Sequence, residues 1–98
     1  MSEPSDRPSE TATGEFLIAN QLGLHVRAAA IVVRTANRFS ARIQVRAGSA
    51  SADAHSLLDL LTLAATKGTR VQVEAHGTDA SQAVEAIGAL IARNFEES

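Results

Sequence analysis

Ser40-Ala41-Arg42-Ile43-Gln44-Val45-Arg46-Ala47-Gly48-Ser49-Ala50-Ser51-Ala52-Asp53 is the stretch that decides the fold. Ile43 and Val45 alternate with Arg42, Gln44 and Arg46, the period of two expected of a strand with one buried and one wet face. Ala47-Gly48-Ser49 carries a turn, and Ala50 to Asp53 returns as a weak second strand. A hairpin this tight means antiparallel pairing. Downstream, Ser56-Leu57-Leu58-Asp59 has the spacing of a capping box, with Ser56 as N-cap and Asp59 reaching back. The helix it opens is short, because Lys67-Gly68 supplies a basic end and a glycine stop. Val71, Val73 and Ala75 alternate as another strand. Gly77-Thr78-Asp79 turns the chain, and Asp79 with Gln82 repeats the capping pattern. Ala83, Val84, Ile87, Leu90, Ile91 and Phe95 then mark the apolar face of a last helix. Upstream, Phe16 to Ile18 read as a strand ending at Asn20. Gly23-Leu24-His25 breaks the chain, and a helix follows to about Asn37. Its apolar side is expected at Val26, Ala29, Ala30, Val33 and Ala36 or Asn37, opposite Arg27, Ile31, Arg34 and Arg38. The order is β-α-β-β-α-β-α. It predicts an α+β fold: a four-stranded antiparallel sheet, wet on one face and covered on the other by three helices.

Composition sets the outer bounds. The chain has 98 residues, 9 Lys and Arg against 11 Asp and Glu, and a net charge of −2. That length suits one domain, able to bury roughly 60–65% of its unfolded surface without metal or disulfide. The longest apolar run, Ala28 to Val33, is far short of the roughly 20 residues of a membrane-spanning helix. A near-neutral balance argues against a general nucleic-acid binder. The absence of Cys excludes a disulfide frame, a thiolate metal site and a Cys nucleophile. The three histidines stand at 25, 55 and 76, too far apart for a local metal-ligand pair, and no P-loop or dinucleotide motif is present. No cofactor is expected. Residues 1–13 are polar and contain Pro4 and Pro8 without an apolar core, so they read as a flexible tail and not a secretory signal. The domain is expected over residues 14–98, in the cytoplasm.

The chemistry gathers at the first helix start. A helix N-terminus leaves orphan N–H groups and a partial positive charge, both of which attract phosphate. His25 stands where the N-cap would be, and Arg27 follows within the first turn. A phosphoryl group on an imidazole nitrogen there can accept backbone N–H bonds and a charge-assisted bond from Arg27. Spacing alone also allows His25 to be an indifferent cap and Arg27 a solvated charge.

Gly23-Leu24-His25-Val26-Arg27-Ala28-Ala29-Ala30 resembles the phosphohistidine signature of the HPr family, the histidine-containing phosphocarriers of the bacterial phosphoenolpyruvate phosphotransferase system. Ser51 to Leu63 resembles that family's second-helix segment, and Lys67-Gly68-Thr69 a third block. Together they cover residues 15–95 or so. The resemblance implies an open-faced β-sandwich. It implies that His25 takes a phosphoryl group on Nδ1 from phospho-Enzyme I and passes it to an Enzyme IIA-type domain, with Arg27 stabilising the phosphoryl oxygens. Such a protein is a carrier, not an independent enzyme, and a monomer. Ile31 and Arg34 with Leu57, Leu58 and Leu61 would form its docking face, some of those leucines serving the core. Ser56 matches a serine that HPr kinase/phosphorylase modifies in some branches, although its N-cap role already accounts for it. Two residues depart from the family pattern. Ala28 replaces the usual Pro, as in nitrogen-type and regulatory members, and Val26 replaces Ala or Thr. The alternatives are therefore a carrier for sugar uptake and a regulatory module that signals by its phosphorylation state.

Overall fold

A computed structural model describes residues 10–96. Seven elements follow the expected order: β1 (Thr11–Leu17), α1 (Val26–Ala36), β2 (Arg42–Ala47), β3 (Ala50–Asp53), α2 (Leu57–Thr62), β4 (Arg70–His76) and α3 (Ala80–Ala92), with a 3-10 turn at Asn94–Glu96. The strands form one antiparallel sheet in the order β1-β4-β2-β3. Alternation sets the two faces. Ile43, Val45, Val71, Val73 and Ala75 are buried, while Arg42, Gln44, Arg46, Arg70 and His76 face outward. The three helices cover the inner face, and Leu24, Val32, Leu60, Ile87 and Ile91 join the strand residues in a single core. No helix among the described residues is long and apolar enough to cross a membrane.

Four local expectations are corrected. β1 begins at Thr11, so the last three residues of the expected tail belong to the domain. Ala12 and Gly14 are too small to register as an apolar alternation, and it is pairing with β4 that makes the segment a strand. Residues 1–9 lie outside the described residues.

In α1 the buried stripe is Ala28, Ala29, Val32 and Ala36, not Val26, Ala30 and Val33. Apolar residues occur all round this helix, so periodicity offers two stripes. Leu24 and Ala29, both buried, hold the N′ and N4 positions of a hydrophobic staple and select the second.

The last helix stops at Ala92. Asn94, Phe95 and Glu96 then take left-handed φ of 55°, 55° and 63°, a turn that returns the Phe95 ring to the core.

Asp79 does not close a capping box on its own helix. Its carboxylate instead accepts the N–H groups of Ser40 and Ala41, each at 2.9 Å, and so clasps the entry of β2 to the start of α3. The Ser40 amide, opposed by partial desolvation and aided by Ala41, holds the Asp79 carboxyl below its ordinary value. A carboxyl more acidic in the folded state stabilises fully above its unfolded pKa, about 3.9, and loses that effect as pH falls through the folded value. Asp79→Asn is therefore expected to flatten the acid limb of a melting-temperature profile below about pH 4. An unchanged limb would show that the clasp carries no such linkage.

Candidate functional site

His25 is the N-cap of α1, with extended backbone at φ −82° and ψ 179°. Its N–H donates to Gly23 C=O at 3.0 Å and its C=O accepts Ala29 N–H at 2.8 Å. Its ring makes no capping bond. The amides of Val26, Arg27 and Ala28, the orphan donors of the first turn, consequently find no acceptor among the described residues. A half-buried imidazole thus stands beside open N–H groups at the positive end of a helix.

The loop before His25 is fixed from two sides. Gly23 has φ +66°, and its N–H meets Asn20 C=O while Asn20 Nδ2 donates to Gly23 C=O at 2.8 Å. Behind it lies the α2–β4 connection. Ala65 C=O accepts Leu24 N–H at 2.8 Å, and Lys67 Nζ donates to Gln21 Oε1 at 3.2 Å. Ile18 N–H donates to Thr69 C=O, and Gly68 N–H to Ile18 C=O. The connection is therefore a backing plate for the residues that carry His25.

Arg27 is exposed and lines a cleft of about 380 Å³ with Ile31, Arg34, Leu90 and Glu96. Neither Arg27 nor Arg34 enters an ion pair among the described residues. Of the expected docking residues, Leu57 is 36% and Leu58 76% exposed, Arg34 is exposed, and Ile31 and Leu61 are half-buried against the core. Three further large apolar residues are exposed: Leu17 at 51%, Leu22 at 68% and Val26 at 60%. Periodicity places Val26 on the core stripe, but it faces solvent. Leu22 sits in a loop, where periodicity carries no signal.

Ser56 is the N-cap of α2, its Oγ accepting Asp59 N–H at 3.2 Å. The reciprocal half of the box is absent, since Asp59 Oδ2 takes Asp53 N–H instead. Ser56 stands at the opposite end of α2 from the loop that backs His25. The other histidines are tied to local partners. His55 bridges Asp53 and Ala36 C=O, and His76 bridges Thr11 and Glu74. No group of His, Asp or Glu among the described residues is placed to hold a metal ion.

Comparison with known proteins decides the family. Residues 12–93 match the model described as "PTS HPr component phosphorylation site". The chain belongs to the HPr family. A phosphocarrier protein HPr of Haemophilus influenzae is 51% identical over 77 residues, 79% of this chain and 88% of that protein. HPr-C-His of Thermoanaerobacter tengcongensis, a crystal structure, superposes with a TM-score of 0.84 at 33% identity, over 89% of this chain and 98% of that one. A multiphosphoryl transfer protein of Haemophilus influenzae is 33% identical over 99% of this chain, which spans only 20% of that longer protein. The chain is thus an HPr phosphocarrier of the phosphotransferase system, with the open-faced antiparallel sheet and three helices expected of one.

Proposed function

We propose that His25 is the phosphoryl acceptor of this HPr, taking the group from phosphorylated Enzyme I and passing it to an Enzyme IIA-type domain. The observation that carries the reading is the N-cap imidazole beside three first-turn amides that find no acceptor among the described residues. The Nδ1 lone pair attacks phosphorus, the bond from phosphorus to the donor atom of Enzyme I breaks, and that atom leaves with the electron pair. The amides and the Arg27 guanidinium face the oxygens on which negative charge accumulates. Leu57 and Leu58, with Ile31, Arg34 and Leu61, form a small apolar and cationic surface suited to brief contact with an acidic-rimmed partner. Leu22 and Val26 extend it. The name of the multiphosphoryl transfer relative supports a place within a relay of phosphoryl groups. The protein works as a cytoplasmic monomer and a carrier, not an enzyme. The test is incubation with phosphoenolpyruvate and Enzyme I, followed by mass mapping. An acid-labile, base-stable adduct on His25 supports the assignment, and a stoichiometric adduct elsewhere overturns it.

Ser56 is read as a cap first. A phosphoserine from HPr kinase/phosphorylase would be welcome at a helix N-terminus but would stand near the carboxylates of Asp53 and Asp59. Ser56→Ala is expected to cost about 1 kcal/mol from the lost cap. Ser56→Asp keeps the cap, adds charge beside the leucines and slows transfer from Enzyme I. Unchanged transfer kinetics for Ser56→Asp would remove this position from the docking face.

Ala28 favours the regulatory branch over sugar uptake, and identifying the IIA domain that discharges His25 separates the two. Most family members have Pro here, so the Ala28 amide is dispensable for phosphate retention. Ala28→Pro is expected to stabilise by about 0.4–1 kcal/mol through the unfolded chain. The half-life of phospho-His25 should not change. A markedly shorter half-life would make that amide a phosphoryl donor.

A further inference from the structure

The two edges of the sheet are finished differently. At β3 the bond from Ala54 N–H to Ile43 C=O fixes the parity, so Ser51 and Asp53 turn outward, and Asp59 already occupies Asp53 N–H. That edge is four residues long and half closed. β1 is seven residues long. Bonds from Gly77 N–H to Glu10 C=O and from Ile18 N–H to Thr69 C=O place the even-numbered residues against β4. Thr11, Thr13, Glu15 and Leu17 therefore turn their N–H and C=O groups to the open side. None of those groups has a hydrogen-bond partner among the described residues. Unpaired edge groups in such a row are a template for another strand.

Beside this edge runs a groove of about 500 Å³ between β1 and α3. Ala12, Gly14 and Phe16 form one wall and Val84, Gly88 and Ala92 the other. The Phe16 ring lies across the two glycines, since a Cβ on Gly14 or Gly88 would stand 2.8 or 2.3 Å from its Cζ. Glu85 is the one charge among the lining residues, and Glu15 projects from the strand's other face. Neither carboxylate has an ion-pair partner among the described residues. The edge is thus apolar at its centre and acidic at its rims.

We infer that β1 and this groove receive an extended segment of another protein, which adds a fifth strand. Small apolar side chains on one face enter the groove, and Lys or Arg side chains on the other meet Glu15. Main-chain bonds supply affinity in this mode, and alternate side chains supply selectivity. A second copy of this chain fits less well. Antiparallel self-pairing about Gly14 sets the two Glu15 carboxylates diagonal to each other, and like charges at that spacing are unfavourable. The site uses none of the residues placed around His25 and does not depend on the carrier reading.

The experiment is a ¹⁵N NMR titration of the full chain with an acetylated, amidated hexapeptide alternating valine and lysine, up to about 5 mM for a weak-binding regime. The matched peptide has glutamate for lysine. The expected result is movement and slowed hydrogen exchange at the Thr11, Thr13, Glu15 and Leu17 amides, with the lysine peptide at least about tenfold tighter. Glu15→Lys should abolish that preference, and if this variant does not fold, peptide charge reversal on the wild type decides. No shift with either peptide, equal affinity for both, or shifts centred on Leu57 and Leu58 would overturn the inference. Dilution-dependent β1 shifts without peptide would overturn it in favour of a second copy.

Discussion

His25→Ala abolishes phosphoenolpyruvate-dependent labelling while the protein stays folded. The imidazole makes no capping bond, so alanine takes none from α1. The change in stability is expected within about 1 kcal/mol, the usual scale of an N-cap exchange. Arg27→Ala behaves differently. It removes one charge-assisted donor, about 1.5–3 kcal/mol, and leaves the backbone amides. Transfer is therefore expected to slow by roughly 10- to 100-fold without stopping. Rapid-quench transfer from Enzyme I measures both. Full-stoichiometry labelling of His25→Ala would sink the acceptor assignment. An unaltered rate for Arg27→Ala would make that arginine a surface charge and leave the phosphoryl oxygens to the amides.

How far this could be read in advance depended on what each residue does. β2 and β4 were legible because β-branched side chains alternate with polar and charged ones, and burial of one face enforces that pattern. β3, Ala50-Ser51-Ala52-Asp53, was legible only through the turn at Gly48. β1 was half legible. Phe16 and Leu17 announce it, whereas Thr11 to Gly14 are a strand only because β4 lies beside them. The position of His25 at the helix start followed from the break at Gly23 and from the helical run after it. The face of α1 did not follow, because Ala28 to Val33 is apolar all round and tertiary contact through Leu24 and Ala29 decides the rotation. Asp79 shows a further limit. Its spacing from Gln82 reads as a local cap, but the N–H donors it satisfies are 38 and 39 residues upstream. The loop behind His25 was invisible for the same reason, since Ala64 and Ala65 offer only methyl groups and Ala65 acts through its backbone carbonyl.

That loop yields the second large effect, at Gly23. A Cβ there would lie 2.4 Å from Ala65 O and 2.8 Å from Thr66 Cα, both backbone atoms that no rotamer change can move away. The residue also has φ +66°, where an L side chain costs roughly 1–2 kcal/mol. Gly48 supplies the control, with φ +62° and nothing within 4 Å of its would-be Cβ. Gly48→Ala is expected to lose only the conformational part, about 1–2 kcal/mol, and to transfer phosphate at the wild-type rate. Gly23→Ala adds the clash and the strained bond from Leu24 N–H to Ala65 C=O, about 1 kcal/mol more at least. Its melting temperature should fall by roughly 10 °C or more, beyond the control. The larger consequence is kinetic. Pushing Gly23 from its seat displaces His25 relative to the first-turn amides, and a shift near 1 Å at a reacting group can cost about a hundredfold. Denaturant melts and single-turnover transfer, run on both variants, separate the two contributions. Equal stability loss and equal rates would mean that the 64–66 connection yields to the methyl group, and that it does not hold His25 in place.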